Sequence, residues 1–510
     1  MPSSHKTHPL ITGTILLTAA GLLSRVLGFF YRIFLSRTIG AEGLGIYQMI
    51  FPIYGIFFSL CAGSIQTAIS RFTAADPDHA KRTLLSGFSL SFAMSLAAAF
   101  VIRHFSVPLA EHVLMEPRCA PLLSVMAFAI PCTSIHACIC GYYYGKEKVS
   151  VPAAAQLFEQ MIRIFTVFLL ASVCIEKRIP VTVSLAVFGL VAGEAGSALF
   201  VLIFFLLFHE FHENTGRSYS VGQSGNLFSP MAALLALAAP LMANRLVLNL
   251  LQSTETIMIP ERLTVYGLTR SQAVRTYGTL TGMAMPFVLF PSALVNSLAV
   301  VLLPVTARHQ SAGNDSGIAD GISMAFRYSL YLGIFCVGVF TVFGEALGLQ
   351  IFKSQDAGSF IQILAWLCPF LYLATSSGSI LNGLGKTKLT FFHHLISLLV
   401  RIAFVWFGIP EVGIRACLWG MLASEILLAL LHILALRRIV PCDWNAWILI
   451  GKPVFCLLCA LWLFRLFPET LPLPAGLPDF FLTAVQILLL STMYLLFLLF
   501  FHRKQSPAST

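Results

Sequence analysis

The sequence predicts an all-α polytopic membrane protein of about fourteen transmembrane helices, built as two parallel six-helix repeats followed by a C-terminal helix pair. Three observations carry this prediction. Of 510 residues, 57% are hydrophobic and only 11% are charged, with a mean hydropathy of +0.85, whereas a soluble domain carries about 25% charged residues. The apolar residues gather into fourteen runs, each near the roughly 20 residues that a helix needs to cross the hydrocarbon. Three short motifs also recur in the same order at offsets of 240, 238 and 231 residues.

The runs fall near 10–35, 44–70, 84–108, 121–144, 151–175, 181–208, 229–252, 277–305, 324–351, 358–384, 388–409, 412–436, 446–467 and 480–502. Each is read as a helix, because an open sheet or loop facing lipid leaves backbone polar groups unpaired. The first run follows Lys6 and resembles a signal peptide in outline. It carries Arg25 and Arg32 and lacks a small-residue cleavage site, so it reads as an uncleaved first helix. An even number of passes puts both termini on one side. Arg71, Lys81, Arg82, Lys146, Lys148, Lys386, Lys388, Arg437, Arg438, Arg503 and Lys504 make that side cytoplasmic, against Lys177, Arg178, Arg262, Arg270 and Arg275 opposite. The one long polar linker, His209–Asn226, sets the expected boundaries: an N-terminal lobe over 1–222, a C-terminal lobe over 223–440, and a helix pair with a cytoplasmic tail over 441–510.

The repeat rests on concordant matches. Tyr144-Gly145-Lys146-Glu147-Lys148 recurs as Leu384-Gly385-Lys386-Thr387-Lys388. Arg163-Ile164 recurs as Arg401-Ile402. Gly189 to Glu194 recurs as Gly420 to Glu425. Span two also aligns with span eight at an offset of 233. Equivalent spans lie six apart, so both halves enter the membrane in the same direction, the parallel arrangement used for alternating access.

Ionisable residues at membrane depth mark the candidate site, since a charge in hydrocarbon costs about 2.5–3.5 kcal/mol on insertion scales. Arg25 and Arg32 are two turns apart on span one, about 10 Å along the axis. Gly21 and Gly28 repeat that spacing and leave room for a neighbouring helix or a substrate. Arg245 occupies the equivalent of Arg25 in span seven, and Arg163 and Arg401 match each other in spans five and eleven. Guanidinium forks bind phosphate oxygens bidentately and stay charged when desolvated. These five arginines, converging from both halves, therefore define a candidate cationic cavity for a diphosphate. Glu159, Glu194 and Glu425 are candidates for ion coupling or for structural pairing, with Glu159 one turn before Arg163.

No cofactor, catalytic residue or metal ligand set is expected. Cys456 and Cys459 form a lone CxxC inside an apolar span and read as packing residues. His136, His393 and His394 lack metal spacing, with a proton relay the functional reading of His136 and packing the simpler one. There is no basic-aromatic patch to bind nucleic acid, and no large extramembrane loop with paired carboxylates for a membrane glycosyltransferase.

Ser24-Arg25-Val26-Leu27-Gly28-Phe29-Phe30-Tyr31-Arg32, followed by Gly43-Leu44-Gly45-Ile46-Tyr47-Gln48, resembles the stage V sporulation protein B family. This is a polysaccharide-biosynthesis branch of the multidrug/oligosaccharidyl-lipid/polysaccharide exporter superfamily, more distantly related to the lipid II flippases. Tyr277-Gly278-Thr279-Leu280-Thr281-Gly282-Met283-Ala284, Phe290-Pro291-Ser292 and Leu302-Leu303-Pro304 extend the likeness. In the flippases an Arg-Asp pair follows the first motif, where this chain has Tyr31 and Arg32, and an arginine stands where this chain has Pro286. The resemblance implies fourteen helices in a V-shaped pair of lobes and a non-enzymatic role in the bacterial cytoplasmic membrane. It implies flipping of undecaprenyl diphosphate-linked sugar or peptidoglycan precursors, in sporulation or envelope synthesis. The expected partners are that lipid-linked substrate, membrane lipids and cell-wall synthesis enzymes, with the chain itself a monomer. The alternatives are a cation-coupled multidrug exporter of the same fold and a non-transporting scaffold for wall synthesis.

Overall fold

The computed structural model describes residues 9–207, 228–440, 444–466 and 479–503. The expected linker His209–Asn226, and with it Lys6 and Lys504, lies outside the described residues. Among the described residues every regular element is helical. Twelve stretches are long and apolar enough to cross a bilayer, and the bent pair Pro117–Met126 and Ala129–Gly145 adds a thirteenth. One stretch, Leu16–Ala75, contains 60 residues. That is about 90 Å of helix, some three times the hydrocarbon thickness, so it makes two passes. The total then meets the fourteen expected.

The first two passes share one helical run. α1 is the part of Pro9–Met49 that precedes Gly40, whose φ of 70° and ψ of 179° break the helix. A left-handed φ of this kind is strained for any side chain, which suits glycine to the reversal. α2 is the remainder, continued through Phe51–Phe58, a π-helical turn at Ser59–Gly63, and Ser64–Ala75. There follow α3 (Ala80–His104), α4 (Pro117–Met126 bent into Ala129–Gly145), α5 (Ser150–Glu176) and α6 (Ser184–Leu207). α7 spans Phe228–Val265, and α8 comprises Arg270–Gly278, a π-helical Thr279–Ala284, Met285–Leu289 and Ser292–Ser311. α9 (Asp315–Phe352), α10 (Gln355–Gly383), α11 (Thr387–Val412), α12 (Ile414–Ile439) and α13 (Trp447–Leu466) complete the second repeat and begin the terminal pair. α14 is Asp479–Arg503.

The chain divides into two compact units, Met1–Glu261 and Arg262–Thr510. The division falls one helix later than the 222/223 boundary read from the linker. The reason is packing: Leu234, Ala238 and Met242 of α7 belong to the same buried cluster as Ile65 and Ile69 of α2, Tyr142 of α4 and Phe205 of α6. In the second unit the terminal pair docks on α9. The Tyr331 hydroxyl donates to the Ile448 carbonyl at 2.9 Å, and the Tyr494 hydroxyl donates to the Tyr331 carbonyl at 3.1 Å.

The internal repeat is visible in backbone hydrogen bonds. At the end of α4, Lys146 N bonds Tyr142 O, Glu147 N bonds Tyr144 O and Lys148 N bonds Tyr143 O. At the end of α10, Leu384 N bonds Ile380 O, Gly385 N bonds Asn382 O and Lys386 N bonds Leu381 O. This is one C-terminal turn repeated at a constant offset of 238, with Glu147 (φ 59°) and Gly385 (φ 71°) in the left-handed position. The Gly-Lys identity at offset 240 is therefore two residues out of register with the backbone, while Arg163 and Arg401, at 238, are true equivalents.

The helix contacts repeat as well. A Cβ on Gly145 would lie 2.5 Å from Thr73 Cβ and 2.7 Å from the Ser70 carbonyl. One on Gly383 would lie 2.7 Å from the Leu303 carbonyl and 3.1 Å from Thr306 Cβ. Residues 70 and 73 map onto 303 and 306 at the offset of 233 that relates span two to span eight. Each unit thus brings the same two helices together through a glycine set against a carbonyl, the close approach typical of helix packing in lipid.

Gly145→Leu is expected to destabilise the protein by about 1–3 kcal/mol through overpacking. Gly21→Ala, at a glycine with nothing within 4 Å of its Cβ position, should be neutral or slightly stabilising. Thermal unfolding in detergent compares the two, and equal midpoints would refute the packing role of Gly145.

Candidate functional site: a buried charge cluster and unpaired arginines

Two features of the first unit carry chemistry. The first is a charge cluster seated on α5. Glu159 and Arg163, one turn apart, form an ion pair through Glu159 Oε1 and Arg163 Nη2. The same nitrogen lies 3.8 Å from Glu194 Oε1 on α6, and Arg163 Nη1 donates to Gln160 Oε1 at 3.5 Å. Small residues on α6 make room for this. A Cβ on Gly193 would lie 3.0 Å from the Glu159 carbonyl and 3.3 Å from Arg163 Nε, and one on Gly189 would lie 3.2 Å from the Arg163 carbonyl. The recurring glycine-to-glutamate motif is thus the groove into which the arginine-bearing helix fits.

Glu194 is the most enclosed member, 6% exposed. Its Oε1 accepts from the Tyr54 hydroxyl of α2 at 3.0 Å, and Tyr54 lies 2.9 Å from Thr133 Oγ1 of α4. Its Oε2 is buried without a hydrogen-bond partner. On α4, His136 Nδ1 lies 3.2 Å from Ser197 Oγ, whose own proton goes to the Ala155 carbonyl at 3.2 Å. Nδ1 is therefore the donor, and in the neutral ring Nε2 presents a lone pair. Ligand atoms of His136, Glu159 and Glu194 lie within 4.8 Å of one another, the one such trio of His, Cys, Asp or Glu among the described residues. With both carboxylates ionised and Arg163 charged, the cluster carries one net negative charge.

Among the described residues, three members of the cluster have no like residue at the equivalent positions of the second unit. At the structural offsets, Glu159, His136 and Tyr54 correspond to Ser397, Ala374 and Phe287. Ser397 instead donates to the Ser424 carbonyl at 2.9 Å, and Ala374 uses its carbonyl for His432 Nδ1 at 3.1 Å. Only the arginine and one glutamate persist, as Arg401 and Glu425, both of which have partners. The ionisable cluster is a specialisation of one repeat.

The second feature is a set of arginines without carboxylate partners among the described residues. Arg25 and Arg32 on α1 and Arg245 on α7 are all exposed, meaning not covered by protein. Arg32 is an electrostatic neighbour of Tyr31, Tyr47 and Arg163, so it lies beside the cluster. Gly28 admits α5, with Gln160 Nε2 3.3 Å from its Cβ position, whereas Gly21 faces open space. Arg245 donates through Nη2 to Thr67 Oγ1 at 3.3 Å, and its Nη1 lies 2.5 Å from the Cβ position of Gly63, at the π-turn of α2. One and two turns along α7, Asn249 donates to the Gly55 carbonyl at 3.1 Å and to Ser59 Oγ, and Ser253 donates to the Pro52 carbonyl at 3.4 Å. Arg245 therefore ends a polar ladder that joins α7 to α2.

Of the five arginines chosen from sequence, Arg32 and Arg163 come together in the first unit. Arg163 is held by carboxylates of α5 and α6, Arg25 is exposed, and Arg401 belongs to the second unit. Tyr54 and Thr133 escape sequence reading, because a hydroxyl in an apolar run carries no charge signal. Comparing each repeat position with its equivalent singles out Tyr54 against Phe287.

Arg163→Met should destabilise by about 3–5 kcal/mol, since it leaves two carboxylates buried without their cation. Adding Glu159→Gln to that variant should recover part of the loss. Additive losses in detergent unfolding would show that the two side chains do not interact.

Comparison with known proteins agrees with this architecture. The polysaccharide biosynthesis protein family matches residues 10–310. Stage V sporulation protein B of Bacillus subtilis (strain 168) is 27% identical over 439 residues, covering 84% of each chain. Lipid II flippase MurJ of the same organism is 22% identical over 449 residues, covering 82% of this chain and 80% of that one. A solved lipid II flippase MurJ in its inward closed conformation superposes with a TM-score of 0.74 at 15% identity, over 96% of this chain and 99% of the other. An inward-facing multidrug resistance MATE transporter of the MOP superfamily superposes at 0.63 with 14% identity, over 83% and 97%. The fold is therefore shared with flippases and drug exporters, and the match over residues 10–310 places the chain in the polysaccharide biosynthesis protein family.

Proposed function

We propose that this protein is a membrane flippase or exporter that carries a lipid-linked saccharide diphosphate across the cytoplasmic membrane, coupled to a proton or monovalent cation. The observation that carries the anionic substrate is the set Arg25, Arg32 and Arg245. These are guanidiniums inside membrane helices with no carboxylate partner among the described residues, the chemistry that a diphosphate satisfies bidentately. A groove of about 580 Å³ between α13 and α14, lined by Leu463, Met493, Leu496, Phe497, Leu499 and Phe500, suits a polyprenyl tail that stays in the lipid phase. The relatives named for lipid II flipping and for sporulation support a precursor of the cell wall or spore envelope as cargo; wall-synthesis enzymes as partners and a monomeric chain complete the proposal.

The coupling element is the cluster on α5. Glu159, Glu194 and Arg163 sum to one negative charge in a low-dielectric site, balanced by Arg32 beside them or, when that arginine binds substrate, by one further positive charge. A proton on Glu194 or a monovalent cation between Glu159, Glu194 and His136 supplies it, and either one alters the pairing of Arg163 with its two acids. The two equivalent bundles provide the parallel repeat that alternating access uses. A cation-coupled multidrug exporter is the second reading, favoured by this same carboxylate cluster. The unpaired arginines oppose it, because they would repel a cationic drug.

Proteoliposomes loaded with an undecaprenyl diphosphate-linked saccharide test the proposal. Arg32→Gln or Arg245→Gln should lower headgroup translocation by about ten-fold or more, matching the 1.5–3 kcal/mol of a charge-assisted hydrogen bond. Glu194→Gln should retain substrate binding yet lose the response to imposed proton and sodium gradients. Translocation of cationic dyes but not of the saccharide would establish the drug-exporter reading instead. Normal complementation of a null strain by the arginine variants would favour a scaffold.

A further inference from the structure

We infer that the second unit carries a binding site for a late transition-metal dication such as Zn²⁺, formed by His393 and His394 of α11 and His432 of α12. The three rings gather about His432. Its ring centroid lies 5.2 Å from that of His393 and 5.7 Å from that of His394. Imidazoles that share one tetrahedral metal at about 2.0–2.1 Å hold their centroids about 5 Å apart. His432 is fully enclosed, and its Nδ1 lies 3.1 Å from the Ala374 carbonyl of α10. A carbonyl only accepts, so Nδ1 carries the proton and, in the neutral ring, Nε2 offers its lone pair. This is the outer contact that orients a metal-binding histidine. Nε2 itself is buried with no hydrogen-bond partner, and so is Nδ1 of His393, which is 7% exposed. Enclosed nitrogens of this kind, on two adjoining helices, are costly unless a ligand joins them.

Electrostatics and the sister unit both favour a metal over plain packing. Among the described residues, the only titratable groups that act on His432 are the other two imidazoles, and no carboxylate acts on any of the three rings. Neutral imidazole is the state that ligates a metal, and it suits zinc, copper and nickel. At the repeat offsets of 238 and 231, His393, His394 and His432 correspond to Ala155, Gln156 and Val201. Ala155 and Val201 are fully buried in the core of the first unit. Small apolar groups therefore fill that place in the twin, and packing alone does not call for three imidazoles. Gly378 of α10 makes room for the ring, since a Cβ there would lie 3.1 Å from His432 Cε1. The nitrogens of all three do not fall within 4.8 Å of one another, so one ring must turn to complete the site. His394 is exposed and turns without displacing protein, leaving the fourth position to water or a halide. The site lies about two turns from Thr387, the start of α11, and from Ile439, the end of α12. A bound metal would tie these two helices together. The sequence shows no metal spacing here because the third ligand stands on the next helix.

The test uses the full-length chain, purified in a neutral detergent on a histidine-free affinity tag and stripped with a chelator. It is titrated with Zn²⁺, with Co²⁺ and with Mg²⁺. Thermal unfolding is one readout, and the visible absorption of Co²⁺, which reports tetrahedral nitrogen coordination, is the other. Zn²⁺ should raise the midpoint, Co²⁺ should give the tetrahedral spectrum, and Mg²⁺, which prefers oxygen ligands, should do neither. His393→Ala and His432→Val copy the first unit and should each weaken Zn²⁺ binding about ten-fold or more. His394→Gln, at an exposed position, should weaken it several-fold, so the result does not hinge on how the two buried variants fold. His136→Gln should leave it unchanged. Undiminished Zn²⁺ binding in His393→Ala and His394→Gln overturns the proposal. Loss of binding in His136→Gln alone would move the metal to the α5 cluster and overturns it too. A wild-type chain blind to Zn²⁺, whose midpoint moves between about pH 5 and 8 only while His432 is present, would make this a proton site and overturns the metal assignment. A chain that responds to neither is packed histidine, which also overturns it.

Discussion

Hydrocarbon offers no hydrogen bonds, and this constraint shapes every level of the structure. It makes the described residues helical throughout. It also lets helices meet where a glycine faces a carbonyl, as at Gly145 and Gly383. Hydroxyls inside spans turn back on their own helix, as Thr67, Thr281 and Thr375 do by donating to the carbonyl four residues earlier. Charges that remain must find a partner within the bundle or wait for one. Arg163 has found Glu159 and Glu194, whereas Arg245 has only a threonine hydroxyl. Paired and unpaired charges differ along this line: the first hold helices together, and the second stay open to a partner.

The two repeats show how one scaffold acquires a specialised half. Their C-terminal turns and glycine contacts superpose residue for residue, so backbone and packing are retained. The polar positions have diverged. Tyr54, His136 and Glu159 in the first unit become Phe287, Ala374 and Ser397 in the second. Among the described residues the His136, Glu159 and Glu194 trio is therefore a feature of the first unit.

Much of this was legible in the primary structure. The passes are long apolar runs with little competing signal, and the arginines stand out as charges where charge is expensive. The repeat was detectable because several weak matches agreed in order. What misled was local identity: the Gly-Lys pair invited an offset of 240, although the turn geometry superposes Glu147 on Gly385. The boundary at 222/223 followed the polar linker, whereas side chains on one face of α7 pack with the first unit. Linker composition reports what faces water, not which core the next helix joins.

The sequence alone determined the all-helical membrane architecture, the direction and approximate register of the repeats, and the family, because hydropathy and motif order are properties of the linear chain. Tertiary structure decided which charges are spent on each other. Glu159 and Arg163 lie one turn apart on α5, but Glu194, Tyr54, Thr133 and His136 come from three other helices, and only packing brings them within hydrogen-bonding or ligand distance. A residue's charge is written in its side chain, but the partner that satisfies or fails to satisfy it is set by helices as far as 178 residues apart.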